Sequence, residues 1–185
     1  MPIVPNKFFM TRGVGTHEKE LRAFENALRD AGIQTCNLVK ISSILPPGCK
    51  RVTREEGLKL LKAGQISFAV LAQASTNEPD QVISAGVGLA QPKNEKLYGY
   101  FTEVEEATGI AKEDVAHDAE EMALENLVTE WGHDFDAESV LEPWKKEYHL
   151  YNEDILVDSI VASAKGKPGN LYTVVVAVAV MLYEE

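Results

Sequence analysis

Apolar side chains recur at helical spacing near the start of the chain. Thr16, a residue type that often caps helices, precedes them, and Gly32 follows them as a natural end point. Acidic residues after Thr16 favour a helix start, because they face the positive end of the helix dipole. The spacing therefore predicts an amphipathic helix that begins at Thr16 and ends at Gly32. Its expected apolar face consists of Leu21, Phe24, Leu28 and Ala31.

Branched and aromatic residues dominate several later segments in the manner of β-strands, and turn-forming Gly, Pro, Asn and Asp separate most of them. The expected strands are residues 36–44, 66–75, 82–91, 97–105, 155–164 and 171–183. A second, longer helix is expected between residues 108 and 132. Residues 134–154 have no clear period, so we expect a loop there with one edge strand at most.

The order of these elements indicates the fold class. Strands follow one another directly more often than they alternate with helices, which favours a mixed or antiparallel sheet over a doubly wound parallel one. We therefore expect an α+β fold with a β-sheet core and two main helices outside it, arranged as an αββα sandwich. A chain of 185 residues suits a single domain, residues 1–185.

The net charge of −11 narrows the classes of partner. Nucleic acid and anionic lipid attract clustered Lys and Arg, so neither nucleic acid nor a membrane is an expected partner. Cys36 and Cys49 do not form a CxxC pair, and the start of the chain lacks the apolar core of a signal peptide. A cytoplasmic location is therefore expected. The four histidines are scattered, so no metal site is expected.

Residues 37–48, NLVKISSILPPG, are the segment with the most unusual chemistry. A predicted buried strand runs into Ser42 and Ser43, and Pro46 and Pro47 then stiffen the chain by fixing backbone angles. A rigid loop could hold a serine hydroxyl against the preceding carbonyl, as self-cleavage requires. The Ser-Ser-x-x-Pro-Pro pattern alone is more often an ordinary junction between a strand and a loop.

A wider run of sequence supplies context for the serine pair. GVGTHEKELRAFENALRDAGIQTCNLVKISSILPPG resembles the N-terminal half of pyruvoyl-dependent arginine decarboxylases. The resemblance combines a Gly-x-Gly before the first helix, a Leu-x-Ala-Phe-acid-x-Ala-Leu helix, an Asn five residues before the serine pair, and the double proline. It continues through SAGVGLAQPK and YGYFTEVEE to the last strand.

The resemblance implies a self-processing enzyme. The hydroxyl of Ser43 would attack the carbonyl of Ser42, so that the chain separates into residues 1–42 and 43–185 and Ser43 becomes a covalent pyruvoyl group. That group would accept the electrons released when arginine loses CO₂ to give agmatine, a step of polyamine synthesis. The family also implies a homotrimer or a dimer of trimers, in which the first helix of one subunit faces the cleaved loop of its neighbour.

Two catalytic positions besides Ser43 carry over from the family. Asn37 would form a hydrogen bond near the pyruvoyl group or the cleavage-site carbonyl, and Glu103 would return a proton to the substrate carbon. For that task Glu103 must be protonated near neutral pH, which burial beside an apolar strand achieves by raising its pKa. Strand alternation places Glu103 on the same side as Phe101.

The resemblance also assigns the substrate contacts. Glu25 stands where the family has an Asp that would pair with the guanidinium group, and Leu21, one turn earlier, would line the same pocket. Ser42 and Ile44, which flank the pyruvoyl position, would line it as well. Glutamate is one methylene longer than aspartate, so another basic amino acid stays open as the substrate. A non-catalytic, uncleaved trimeric binding protein of the same fold is a further alternative.

Overall fold

The computed structural model describes residues 3–142 and 145–183. The strands of this part of the chain are β1 (Lys7–His17), β2 (Asn37–Lys40), β3 (Ile44–Leu45), β4 (Lys50–Arg51), β5 (Ile66–Thr76), β6 (Val82–Pro92), β7 (Gly99–Thr108), β8 (Glu147–Leu150), β9 (Glu153–Lys165) and β10 (Tyr172–Leu182). The helices are α1 (Glu20–Ala31), α2 (Arg54–Leu60), α3 (Lys112–Glu130) and α4 (Ala137–Val140).

The strands form two sheets that pack face to face. Sheet A has the order β2-β5-β10-β1-β4, and sheet B has the order β3-β7-β6-β9-β8. Most neighbouring strands are antiparallel, but β4 pairs with β1, and β2 with β5, in parallel. The sheets are therefore mixed, as the sequence predicts.

Each sheet is covered on both faces, as the burial of alternate residues along β10 illustrates. Alternate residues such as Val175 and Ala177 pack into the core between the sheets, while Val174 and Val176 pack outwards beneath α1. A strand buried on both sides must be apolar throughout, which explains the long apolar run at the end of the chain. With α3 on the outer face of sheet B, the layers confirm the predicted α+β fold.

Two glycines in β1 determine how closely α1 can approach sheet A. A Cβ atom at Gly13 would lie 2.0 Å from the Ala27 carbonyl oxygen, and one at Gly15 would lie 2.1 Å from that of Ala23. Any side chain at either position would therefore push the helix away from the strand. The Gly-x-Gly of the sequence therefore allows α1 to pack directly against β1.

The start of the first helix differs from the prediction. Thr16 does not cap it, because β1 pairs with β10 as far as His17 and Tyr172, and the helix begins only at Glu20. Gly32 ends the helix in the left-handed conformation, as predicted. Leu21 was expected on the buried face, but 72% of its surface is exposed in the isolated chain.

The expected strand at residues 36–44 also differs, since it is divided between the two sheets. β2 belongs to sheet A and β3 to sheet B, with residues 41–43 between them. The other five expected strands are present with ends shifted by a few residues. The region 134–154 contains the edge strand β8 and the short α4, and its residues 143–144 lie outside the described part. Pattern analysis missed β1, β4 and α2.

No helix in the described ranges is long and apolar enough to cross a membrane.

Candidate functional site

The serine pair lies where the chain crosses from one sheet to the other. Before it, the N–H of Ile41 donates to the carbonyl of Ala69 in sheet A at 3.0 Å. After it, the carbonyl of Ser43 accepts from the N–H of Phe101 in sheet B at 2.7 Å. The Ser42–Ser43 peptide bond is therefore the link between two hydrogen-bonded edges, and we call residues 41–43 the crossover.

A tight turn fixes the chain after the crossover. The Cys49 N–H donates to the Pro46 carbonyl at 3.1 Å, with Pro47 and Gly48 at the two central positions. Gly48 has φ of 69°, which suits the third position of a type II turn, and proline suits the second. The double proline thus returns the chain to sheet A directly after β3, so the crossover is restrained on both sides.

Both serine hydroxyls are available for chemistry. Within the described ranges neither Ser42 nor Ser43 forms a side-chain hydrogen bond, and neither is buried. A hydroxyl held by a neighbour would first have to break that bond before attacking a carbonyl. Ser43 has no such bond to break.

Glu103 lies beside the crossover on the same face as Phe101. Glu103 pairs with Val87 on the neighbouring strand β6, and Val87 is part of the core between the sheets. Continuing the register of β3 and β7, Ser43 lies opposite Phe101, so Glu103 is its diagonal neighbour. Such neighbours have Cα atoms about 7–8 Å apart, within reach of a long side chain.

The protonation of Glu103 is shifted by its surroundings. Partial burial raises the pKa of this carboxyl above its usual value, the charge of Lys40 lowers it, and that of Glu105 raises it further. The net direction is upward. Glu103 therefore holds a proton at higher pH than a solvent-exposed glutamate does, which is the property a proton donor near neutral pH needs.

Lys40 is the residue at this site that sequence analysis missed. Its Nζ atom forms an ion pair with Glu105 Oε1 at 2.6 Å, which joins the end of β2 in sheet A to β7 in sheet B. The sequence does mark Lys40 as unusual, because it is a lysine among apolar residues just before the serine pair. Its partner on β7 could not be identified without the sheet order.

A groove runs along one flank of α1 on the outer face of sheet A. Two adjoining cavities of about 340 and 390 Å³ share Phe24 as a wall. Leu21 lines the first, and Asn37 and Leu28 line the second. Glu25 is exposed and lies one helical turn from both leucines, but it lines neither cavity. We call this feature the α1 groove.

The structure thus separates the candidate residues into two groups. Ser42, Ser43, Ile44 and Glu103 lie at the crossover and the β3–β7 edge. Leu21 and Asn37 line the α1 groove, and Glu25 is exposed on the same helix. The side-chain amide of Asn37 donates to the Gly64 carbonyl at 2.9 Å, at the end of β2 remote from the crossover. Since α1 covers the outer face of sheet A and Glu103 points between the sheets, Glu25 and Glu103 are on opposite sides of sheet A within one chain.

In the described ranges, no group of three or more His, Cys, Asp or Glu side chains is arranged to hold a metal ion.

Comparison with known proteins finds relatives that match nearly the whole chain. A family model described as pyruvoyl-dependent arginine decarboxylase matches residues 7–185. The chain is 45% identical to a protein of Chlorobaculum parvum named probable pyruvoyl-dependent arginine decarboxylase, over 98% of this chain and 99% of that protein.

Archaeal relatives are almost as similar. A protein of Nitrosopumilus maritimus named pyruvoyl-dependent arginine decarboxylase is 40% identical over 98% of this chain and 99% of its own. One of Methanosarcina acetivorans, named pyruvoyl-dependent arginine decarboxylase 2, is 41% identical over 97% and 98%. With matches that span nearly the whole chain, this protein belongs to the pyruvoyl-dependent arginine decarboxylase family.

Proposed function

We propose that this chain cuts itself between Ser42 and Ser43 and then, as a homo-oligomer, decarboxylates L-arginine to agmatine and CO₂. The observation that carries the proposal is the crossover. One peptide bond joins two sheet edges that are held by their own hydrogen bonds, and the residue after it has an unengaged hydroxyl. Family membership supplies the reaction class.

The processing step needs no outside reagent except water. Ser43 Oγ attacks the carbonyl carbon of Ser42, and the peptide bond breaks as an ester forms. Loss of the Cα proton of residue 43 then breaks the ester, which releases residues 1–42 with a terminal carboxylate and leaves a dehydroalanine. Water replaces its nitrogen, ammonia leaves, and a pyruvoyl group remains at position 43.

The cleaved fragments are expected to stay together. Residues 1–42 contain β1, which pairs with β10 along its whole length of 11 residues, and α1, which packs on both strands. Those hydrogen bonds and buried contacts do not depend on the Ser42–Ser43 bond. The Lys40–Glu105 ion pair also joins the two fragments, although an exposed pair of this kind contributes little.

The residues at the crossover fit a pyruvoyl group, because Ser43 is the residue type from which it forms and its hydroxyl is free to react. When present, the group supplies an electron sink for the electrons left behind by CO₂. Glu103 then delivers a proton to the substrate carbon from the same face of the sheet. Its raised pKa keeps that proton available.

Arginine recognition is assigned to the α1 groove. The carboxylate of Glu25 can accept two parallel hydrogen bonds from a guanidinium group, which an ammonium group cannot donate in that planar geometry. Leu21 is exposed beside it and offers apolar surface to the methylene chain of the substrate. Lysine or ornithine is the alternative substrate, because glutamate extends further than the family's aspartate.

The separation of the two groups argues for a site built between copies of this chain. Glu25 of one subunit meets Ser43 and Glu103 only if a second subunit docks its crossover on the first one's α1 groove. Exposed apolar side chains at these edges support such docking, including Leu21, Val39, Ile44 and Ile66. A contact between two different surfaces closes into a ring, and we propose a trimer or a dimer of trimers.

The cytoplasm is the proposed location. Cys36 and Cys49 are both free thiols, and burial raises the pKa of Cys49 to about 12, which leaves it inert. Free cysteines are typical of reducing compartments.

A product assay tests the proposed reaction. Purified protein is incubated separately with L-arginine, L-lysine and L-ornithine, and CO₂ and the amine product are measured by mass spectrometry. Arginine should give agmatine, and borohydride treatment of the native protein should abolish turnover by reducing the ketone. A preference for lysine or ornithine would refute the arginine assignment, and an uncleaved chain that binds arginine without turnover would favour the non-catalytic alternative.

A further inference from the structure

A further cavity, of about 580 Å³, opens between the edges of β1 and β9. β4 covers β1 only at Lys7 and Phe8, and β8 covers β9 only at residues 153–156, so both strands have uncovered edges here. In each sheet this edge is three strands from the crossover, a distance of about 14 Å. The cavity, which we call the β1–β9 cavity, is therefore separate from the decarboxylase site.

Three cationic side chains line the β1–β9 cavity, namely Arg12, Arg54 and Lys112, together with one carboxylate, Asp30. None of the three cations forms an ion pair within the described part of the chain. The protein as a whole is acidic, with a net charge of −11, yet these three cationic side chains lie together. The lining therefore carries a net positive charge that no ion pair among the described residues offsets.

Neutral groups hold the two guanidinium groups in place. Arg12 Nη1 donates to the Val161 carbonyl at 2.8 Å, across the gap between the sheets. Arg54 Nε donates to Thr11 Oγ1, and its Nη2 donates to the Asp30 carbonyl, both at 3.0 Å. These contacts orient the side chains but leave their charges and most of their N–H groups available, because each guanidinium has five donors.

The backbone of β1 adds a donor to the same cavity. The Val14 N–H points away from β10, since it donates to the Asp30 carboxylate at 2.9 Å. Alternate residues of a strand direct their N–H groups to the same side, so the N–H of Arg12 points towards the same uncovered edge. The Asp30 carboxylate is turned to the Val14 N–H, which leaves the cations as the main charges facing the cavity.

We propose that the β1–β9 cavity binds a small anion that carries a phosphate group. Three cations against one carboxylate suit a doubly charged oxyanion, and arginine side chains match the oxygens of phosphate in pairs. The volume exceeds what a single phosphate ion fills and lies in the range of small-molecule sites, so the natural ligand is a phosphorylated metabolite. The site does not depend on the proposed decarboxylation.

Calorimetric titration of the intact protein with inorganic phosphate tests the proposal, at constant ionic strength with chloride as the competing anion. Wild type should show saturable binding. Arg12→Gln and Lys112→Gln should each weaken it about tenfold, because each removes one charge-assisted contact. Asp30→Asn should tighten it, since it removes the opposing charge and keeps an oxygen for the Val14 N–H.

Lys59→Gln is the matched control, because Lys59 is exposed on α2 and does not line the cavity. It makes the same change in net charge, and its phosphate affinity should equal that of wild type. Absence of saturable binding in wild type would overturn the proposal. Equal weakening by Lys59→Gln and Lys112→Gln would also overturn it, because binding would then follow net charge and not this cavity. A circular dichroism melt confirms that each variant is folded.

Discussion

The carbonyl of Ser43 and the N–H of Phe101 form a 2.7 Å hydrogen bond that ties Ser43, the residue after the proposed cleavage site, to sheet B. Ile41, two residues earlier, is tied to Ala69 in sheet A. The bond between Ser42 and Ser43, the proposed cleavage site, is therefore held from both sides. Fixing two reacting groups in this way lowers the entropy cost of their reaction.

The first prediction is that purified protein separates under denaturing conditions into fragments of 42 and 143 residues. Ser43→Ala should stay whole, because it removes the attacking hydroxyl. Ser42→Ala keeps that hydroxyl and is expected to cleave, which makes it the matched control. Denaturing mass spectrometry distinguishes the products, and an intact wild-type chain after prolonged incubation would contradict self-cleavage.

The second prediction concerns Glu103, whose proposed task begins after cleavage. Glu103→Gln should still be processed but should lose decarboxylation by about 10²–10⁴-fold, the usual contribution of a positioned acid. Glu105→Gln, two residues away on an exposed position, should retain most activity. Steady-state rates measured on fully processed protein test this, and a loss of only a few-fold in Glu103→Gln would assign the residue a structural role.

The third prediction is a pH dependence that involves Lys40. Activity that requires protonated Glu103 falls as the pH rises through the pKa of that carboxyl, which burial raises and the Lys40 charge lowers. Lys40→Gln removes the lowering charge and frees Glu105, whose charge raises the same pKa. Both changes should therefore move the alkaline limb of the kcat profile to higher pH.

Lys62→Gln serves as the control for Lys40, because it removes an exposed lysine that is not among the groups acting on Glu103. Its pH profile should match that of wild type. An alkaline limb that moves to lower pH in Lys40→Gln would show that Glu103 is not the titrating acid.

The sequence predicted the layers of this fold better than the connections between them. Continuous apolar runs identified β6 and β10, and Gly32 correctly marked the end of α1. Residues 36–44 could not be divided from sequence, because β2 and β3 share one apolar pattern and only pairing with β5 and β7 shows that they belong to different sheets. β1 was missed because GVGTH resembles the lead-in to a helix, while its pairing with β10 is a long-range contact.

For the candidate site too, the sequence identified residues but not which of them lie close together. Ser42 and Ser43 were singled out by their motif, and Glu103 by the resemblance to the family. Their proximity, however, depends on the antiparallel register of β3 and β7. The sequence does not indicate that Glu25 and Glu103 lie on opposite sides of sheet A, because a helical wheel gives a direction around α1 but not which sheet face the helix covers.

The fourth prediction is that Glu25→Gln is processed normally and keeps its oligomeric state but uses arginine poorly. Removing the charge leaves the guanidinium without its paired acceptor, a loss of about 1.5–3 kcal/mol, or about 10- to 150-fold in kcat/KM. Glu25→Asp should recover much of the activity if the geometry of the family is retained. Glu18→Gln, also exposed near the start of α1, is the control, and unchanged arginine kinetics in Glu25→Gln would show that another acid binds the substrate.

The last prediction tests whether the site is shared between copies of the chain. Glu25→Gln and Glu103→Gln chains are each expected to lose most of their activity, but their substitutions lie on different sides of the proposed interface. When the two are co-expressed in equal amounts, about a quarter of the sites in a ring of head-to-tail contacts should combine an intact Glu25 with an intact Glu103. Activity should therefore rise to about a quarter of the wild-type value, because a contact between two different surfaces lets each chain supply what the other lacks.

Co-expression of Glu25→Gln with the double variant Glu25→Gln/Glu103→Gln is the control. It should show no such rise in activity, since neither chain then offers Glu25. If the mixed preparation is no more active than its two components, each site lies within a single chain, and the proposed docking of the crossover on the α1 groove is wrong.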